Sequence, residues 1–535
     1  MFPLTVDHLL WRMSNIHPQS EVVSIAGEAS GSATTRWSFP DVAARAQRLA
    51  AGAHAELGIG PGHTVAVLAF NTLEHFEVML GVPVLGAAVN SLNARLSVEF
   101  LIDQAMSPRP AAVVVDGEMV DHPVLGRNVR SVLGVLRQAG VPLMVVGERD
   151  WTEHADTVVR YRDLTEADAT LSAPAAVEDE NTTAYLFHTS GTTGRPKSYA
   201  VSHRAVMLHT LSQATTAASG LHSSDRVLPL APFFHVNGWG LPLTCALTGA
   251  SLVLCGGDLA ADRVAAILSE ESVTAAAAVP TVWHDVCAAV AAGHAPRPNR
   301  LREVFSGGSA VPQPVVDAVA TVLGATVSTA WGMTETMACS TYERLEPTTS
   351  AGVPIPLVEL RVDTGGFAQD GSEPTMGKLQ VRGPFIVGVR DGSRNWFDTG
   401  DIASIDQQGR LRLHDREKDL IKSGGEWIAT AELEQYLCTH PAVSSAAIVA
   451  MAHPRWIERP LAYIVAADNA TGDIDAGDID AALRAHVGER FPRWWIPDQF
   501  IVVDALPRTA VGKVDKARLR TQSDSEIELR SEAIA

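Results

Sequence analysis

Apolar and polar positions along the chain follow two rhythms, and the two rhythms take turns. Residues 39–57 (FPDVAARAQRLAAGAHAEL) carry apolar side chains at helical spacing and predict an amphipathic helix. Gly60-Pro61-Gly62-His63 breaks that spacing, and the apolar run from Thr64 to Phe70 predicts a strand. Leu73 to Leu80 returns to a helical pattern. Short apolar runs at 111–115, 142–146, 226–230 and 251–254 predict further buried strands. Repeated βα units of this kind imply α/β layers whose sheets are covered on both faces.

Past Gly377 the texture changes. Residues 378–383 (KLQVRG) and 410–415 (RLRLHD), with polar turns at 391–393 and 406–409, predict short twisted β elements. A charged and then glycine-rich run, 415–426, follows. Beyond it the pattern is compact α+β: a helix at 430–437, strands at 446–451 and 461–466, and a helix at 480–487. The expected fold class is therefore α/β. A large N-terminal domain, 1–414, holds layered βα subdomains plus a β-rich subdomain. A boundary segment lies at 415–418, and a small α+β domain at 419–535. The acidic tail after Thr521 is expected to fray.

Composition narrows the function. At 535 residues and 46% hydrophobic, the chain is long enough for more than one core. A net charge of −19 argues against a nucleic-acid binder or a polybasic membrane-surface protein. The five cysteines, Cys245, Cys255, Cys287, Cys339 and Cys438, show neither disulfide-framework nor zinc spacing. Residues 1–20 lack a cationic region leading into an apolar core, and no apolar run is long enough to span a bilayer. A soluble cytoplasmic protein is the expectation.

Chemistry concentrates in a few segments. In 185–205 (YLFHTSGTTGRPKSYAVSHRA), an apolar approach ends in Thr189-Ser190-Gly191-Thr192-Thr193-Gly194-Arg195-Pro196-Lys197. Small hydroxyl and glycine residues free backbone N–H groups to meet an anion, and Lys197 adds a charge. The glycine spacing is not that of a Walker A loop. A surface turn is the plain alternative, disfavoured by a lysine closing a loop with no bulky apolar residue.

Residues 328–336 (STAWGMTET) bring together an aromatic, hydroxyls and a carboxylate. A flat ring suits stacking and a carboxylate suits a hard cation. Alone, this segment reads equally as a polar turn with a core tryptophan. In 396–401 (WFDTGD), Asp401 is a carboxylate able to take two vicinal hydroxyls. Nearby, 414–418 (HDREK) supplies Arg416 and Lys418. Residues 507–516 (PRTAVGKVDK) carry Lys513. Residues 306–310 (SGGSA) are not a nucleophile elbow, because Val311 stands where a glycine is needed. His284 and Cys287, an isolated pair on an alanine-rich helix, read as packing.

Together these segments resemble the adenylate-forming superfamily of acyl-CoA synthetases, peptide-synthetase adenylation domains and luciferase. Residues 234–240 (FHVNGWG), 352–356 (GVPIP) and 421–428 (IKSGGEWI) look most like the fatty-acyl-CoA ligases. The resemblance runs from the first helix past Lys513. It implies that Thr189 to Gly194 and Lys197 bind ATP phosphates, and that Gly308, Ser309, Trp331 and Gly332 border the adenine. It further implies that Thr334 approaches the α-phosphate, Glu335 holds Mg²⁺, and Asp401 and Arg416 hold the ribose. Lys513 would act on the carboxylate and α-phosphate.

The acyl pocket implied is His235, Trp239, Val279, Gly307 and Gly308, with Trp239 and Trp283 equally readable as core. Lys418 falls at the hinge of a mobile C-terminal domain. Ser423, Gly424, Gly425, Glu426 and Trp427 face the acceptor. The implied cofactors and co-substrates are ATP, Mg²⁺ and CoA, with a small-molecule acid as substrate; dimers recur among similar ligases.

Three features depart from the pattern. Trp331 replaces the more usual tyrosine, Ser198-Tyr199 replaces a glycine after the loop lysine, and 383–396 is short. The last two bear on the acyl or acceptor side. Two alternatives therefore stand beside acyl-CoA formation. One is a different substrate or acceptor: nitrite activation for diazotising an aromatic amine, or transfer to a carrier protein or amine. The other is a non-catalytic ligand-binding relative.

Overall fold

The computed structural model describes residues 2–25, 34–147, 149, 151–166, 177–189, 197–344, 350–365, 375–387, 396–424, 426–467, 476–508 and 514–522. The chain divides into two compact units. The first is Met1–Glu359 with Arg382–Phe397, and the second is Leu360–Val381 with Asp398–Ala535.

Among the described residues the first unit is built on two sheets. A seven-stranded sheet runs in the order Val158–Arg160, Leu143–Val146, Ala112–Asp116, Thr64–Leu68, Ala88–Ser91, Thr183–Thr189, Lys197–Ser202. Every neighbouring pair is parallel except the last, which is antiparallel. The strands Thr64–Leu68 and Ala112–Asp116 are buried along their whole length, as parallel strands covered on both faces must be. Helices Val98–Met106 and Gly126–Gln138 pack Leu101, Leu133 and Leu136 against Val113, Val115 and Leu143.

The nine-stranded sheet has a parallel centre. It passes through Thr326–Ala330, Glu303–Gly307, Ala275–Ala278, Arg226–Pro229, Ser251–Leu254 and Glu21–Ile25.

The helix Phe39–Leu57 shows why the sequence pattern works. Ser38 caps it by accepting from the Asp41 N–H, Pro40 sits in the first turn, and Gly58 ends it at φ +64°. The next helix, Leu73–Val84, crosses it closely. A Cβ on Gly81 would lie 2.4 Å from the Ala46 carbonyl oxygen, so only glycine permits this approach.

In the second unit, strands Gly377–Arg382, Phe397–Ile405 and Leu411–Arg416 belong to a four-stranded sheet. A second sheet holds Glu426–Ile428, Ile421–Ser423, Ile457–Ala466 and Val443–His453, with Gln499–Val502 parallel to Ile457–Ala466. Helix Thr430–Leu437 and the described part of Ala476–Arg490 bury Leu433, Leu437, Leu483 and Val487 against Ile448 and Ile464.

The four-stranded sheet thus groups with the second unit, whereas the sequence pattern assigns residues up to 414 to the first. Polar ties account for this. Asp415 accepts from the Thr430 N–H at 2.6 Å, and Glu432 meets both Arg412 and His414 at 2.9 Å. Among the described residues no helix is long and apolar enough to cross a membrane.

Candidate active site

Strands Thr183–Thr189 and Lys197–Ser202 hold the two ends of the phosphate-loop segment together, with Thr189 paired to Lys197. Ser190, Gly191, Thr192, Thr193 and Gly194 lie outside the described residues, and Lys197 is exposed.

Glu335 sits on a single 3₁₀ turn, Thr334–Thr336. The turn is locked by Thr336, whose hydroxyl accepts from the Met333 N–H at 3.0 Å. The Glu335 carbonyl accepts from the Val387 N–H at 2.8 Å. The chain doubles back so tightly that a Cβ on Gly332 would lie 1.8 Å from the Ala338 oxygen. Trp331 before it is buried, its N–H donating to Thr341 Oγ1 at 3.1 Å.

The Glu335 side chain is 7% exposed, and its Oε2 has no hydrogen-bond partner among the described residues. A buried carboxylate oxygen without a partner is costly unless a ligand completes it. Among the described residues no group of three or more His, Cys, Asp or Glu gathers to hold a metal. A cation on Glu335 would therefore draw its other ligands from phosphate and water, which is how Mg²⁺ is commonly held. The residues fit Mg²⁺.

Tyr199 is the neighbour that sequence reasoning did not place here. Burial, and then the adjacent Glu335 carboxylate, push its phenol upward, with Thr189 on its other side. Tyr199 thus stays protonated between Thr189 and Glu335. Its position two residues after Lys197 was the only signal.

Four of the five residues expected at the acyl pocket, Trp239, Val279, Gly307 and Gly308, also come together. Residues Val236, Asn237, Gly238, Trp239 and Gly240 all have positive φ, a left-handed turn that non-glycine residues enter only under strain. Packing holds it. Gln213 Nε2 donates to the Trp239 carbonyl at 2.8 Å, and Asn71 accepts from the Phe233 N–H at 2.9 Å. Asn71 also donates to the Pro229 and Ala231 carbonyls at 3.0 Å, so one buried amide positions the segment bearing His235.

A Cβ on Gly308 would meet Val279 at 3.6 Å and the Trp239 ring at 3.8 Å; one on Gly307 would reach that ring at 4.0 Å. Trp239, Val279, Gly307 and Gly308 therefore share one wall, with Ser309 exposed beside them. His235, at the head of the turn, lies 4.7 Å from the Phe234 ring. Trp283 is fully buried in the apolar core, which decides for packing in its case. Cys287 is buried, as a packing residue, whereas His284, expected to pack, is exposed and lies 3.1 Å from Asp285.

In the second unit, Asp401 and Arg416 face each other across the antiparallel pair Phe397–Ile405 and Leu411–Arg416. Arg416 Nε lies 2.9 Å from Asp401 Oδ1, and Arg416 Nη1 donates to the Thr399 carbonyl at 3.2 Å. Two residues chosen from separate motifs thus meet.

Lys418 is exposed, and its carbonyl accepts from Arg520 at 3.3 Å. Glu417 is exposed and pairs with Lys378 at 2.6 Å. Asp419, in the charged run that follows Arg416, is buried against Arg520.

Ser423 accepts from Arg459 at 3.1 Å, and the Gly424 N–H donates to the Trp456 carbonyl at 2.9 Å. Glu426 is exposed, and Trp427 lies under Lys422 at 5.2 Å. Gly425 and Lys513 lie outside the described residues. Lys516, in the same motif as Lys513, is instead a half-buried ion-pair partner of Glu434 at 2.8 Å.

The fold and these residues define an adenylate-forming enzyme: the chain belongs to the AMP-binding enzyme family, which matches residues 13–389, and the AMP-binding enzyme C-terminal domain matches 432–513. It is 35% identical to a long-chain-fatty-acid–CoA ligase of Thermus thermophilus over 97% of this chain and 95% of that one. It is 33% identical to a medium-chain-fatty-acid–CoA ligase of Ectopseudomonas oleovorans over 99% and 97%. A crystal structure of an anthranilate CoA ligase in complex with anthranoyl-AMP shares the fold, with a TM-score of 0.82, 22% identity, and 98% and 99% of the two chains covered.

Proposed function

We propose that the protein is an ATP-dependent ligase that adenylates a fatty or aryl carboxylic acid and passes the acyl group to CoA. The observation that carries this reading is its identity of a third, over nearly the full length, to relatives named as acyl-CoA ligases. The residues read as ATP ligands support it, since all of them are present. In the first step a substrate carboxylate oxygen attacks the α-phosphorus, and the bond to the β-phosphate oxygen breaks, releasing pyrophosphate. Glu335 would hold Mg²⁺, which when bound would neutralise phosphate charge. Lys197 and the loop amides hold the phosphates, Thr334 donates toward the α-phosphate, and Asp401 with Arg416 orients the ribose. Lys513 meets the charge that builds between carboxylate and α-phosphate.

In the second step the small C-terminal domain, 419–535, turns about Lys418, which withdraws Lys513 and presents the 423–427 segment to the acceptor. The CoA thiol then displaces AMP from the acyl carbon.

A second reading keeps the adenylation and changes the acid or acceptor. Ser198 and Tyr199 favour keeping it, because they follow Lys197 where the resemblance continues with glycine, and Tyr199 stands beside Glu335. ATP–pyrophosphate exchange without CoA separates the two. A panel of fatty, aryl and cinnamic-type acids is run beside nitrite. Exchange with a carboxylic acid supports the first reading, and exchange with nitrite alone overturns it.

A further inference from the structure

Ser198 replaces a glycine, and its partners explain what the replacement does. The strand pair that closes the phosphate loop runs in the register Thr189↔Lys197 and then His188↔Ser198. The His188–Ser198 pair is therefore the first cross-strand pair beneath Lys197. Ser198 Oγ lies 3.0 Å from His188 Nδ1, and His188 Nε2 lies 2.9 Å from Asn90 Oδ1. Asn90 is fully buried and its Nδ2 donates to the Gln104 carbonyl at 3.1 Å, which turns the amide oxygen toward the imidazole.

An amide oxygen only accepts. His188 therefore carries its proton on Nε2, Nδ1 accepts, and the Ser198 hydroxyl donates. Burial lowers His188 to about 4, so Nδ1 remains an acceptor at neutral pH. The relay spans three adjacent strands, Ala88–Ser91, Thr183–Thr189 and Lys197–Ser202.

Serine, histidine and asparagine in this order suggest a nucleophile, but the chemistry is wrong for one. The imidazole is a weak base with no carboxylate to stabilise its cation, so it does not activate the hydroxyl. The relay instead restrains the strand. A cross-strand side-chain hydrogen bond directly below a loop limits how its stem splays. Glycine at 198 has no atom with which to make the tie.

We propose that the Ser198–His188–Asn90 relay is a positioning device that fixes the strand behind Lys197 and so holds the Lys197 ammonium for the phosphates of ATP. The inference rests on the adenylation reading in taking ATP as the ligand.

The test uses the full-length protein and the variants Ser198→Gly, Ser198→Thr and His188→Phe. The nitrogen-15 spectrum of His188 is expected to show a neutral ring protonated on Nε2. Ser198→Gly shifts the Nδ1 resonance toward that of an unbonded nitrogen. By calorimetry, Ser198→Gly and His188→Phe each weaken Mg²⁺·ATP binding about tenfold, the scale of one lost hydrogen bond. Their double variant is no weaker than either, because both break one relay. Ser198→Thr keeps the hydroxyl and restores binding. A purely structural role would lower the melting temperature and leave the affinity alone. Wild-type affinity in Ser198→Gly, or a proton on Nδ1 of His188, overturns the proposal by itself. Failure of the wild-type protein to bind ATP overturns the adenylation reading, and this proposal with it.

Discussion

Replacing Glu335 by glutamine isolates the metal seat. The side chain is 7% exposed, and its Oε2 has no hydrogen-bond partner among the described residues. Glutamine keeps the shape and removes the charge, so two opposite effects are expected. Without ligand the variant should be at least as stable as the wild type. An unsatisfied buried polar group costs about 1–3 kcal/mol, and more when charged, and the substitution removes that charge. With Mg²⁺·ATP the order should reverse. A ligand at a hundred times its Kd stabilises the wild-type fold by about 2.7 kcal/mol, and the variant should lose most of that gain. Pyrophosphate exchange should fall by roughly 10²–10³, the usual loss when a preorganised charge is removed from a reacting site. Thermal melting with and without Mg²⁺·ATP reads the first two effects, and isotope exchange reads the third. A Glu335→Gln protein that keeps Mg²⁺-dependent stabilisation and exchange would refute the seat.

Lys513→Ala should slow adenylation by roughly 10²–10³ and slow thioester formation from preformed acyl-adenylate far less, measured as separate half-reactions. Asp401→Asn should raise the KM for ATP about 10- to 100-fold with little change in kcat, since hydrogen bonds to charged groups contribute roughly 1.5–3 kcal/mol; a kcat effect alone would contradict a ribose role. Stability should fall on acidification. His75, His188, His203 and His209 are lowered by burial to about 4, below the 6.5 of the unfolded chain. The unfolded state therefore binds more protons as pH drops from 6.5 toward 4. Glu77 and Asp116, raised by burial to about 7, oppose this but are fewer. The urea midpoint should be lower at the acidic end of that window than near neutrality.

How much of this was legible in the sequence varies with the kind of signal. Helix Phe39–Leu57 could be read end to end, because its serine cap, early proline and terminal glycine are local devices. The strand Ala275–Ala278 could not. Four alanines carry no strand preference, and it exists because Arg226–Pro229 and Glu303–Gly307 pair with it from both sides. The left-handed turn at 236–240 announces itself only through Gly238 and Gly240. Val236, Asn237 and Trp239 are held in it by Gln213 and neighbouring packing from elsewhere in the chain.

The site residues were legible as types, but their meeting was not. Asp401 and Arg416 stand in separate motifs, and a strand register unites them. Trp239 and Trp283 look alike in sequence, and only the structure separates Trp283 in the apolar core from Trp239 beside Gly307 and Gly308. Tyr199 and Ser198 stood out as departures, but their partners Glu335, His188 and Asn90 come from distant segments.

The central claim is that a carboxylate oxygen of the substrate attacks the α-phosphorus of ATP. The most direct measurement labels the carboxylate of an acid that supports exchange with oxygen-18 and follows the label by mass spectrometry of the nucleotide after turnover with CoA. The account predicts one labelled oxygen in the AMP phosphate and none in pyrophosphate. Unlabelled AMP, or label in pyrophosphate or inorganic phosphate, would contradict it.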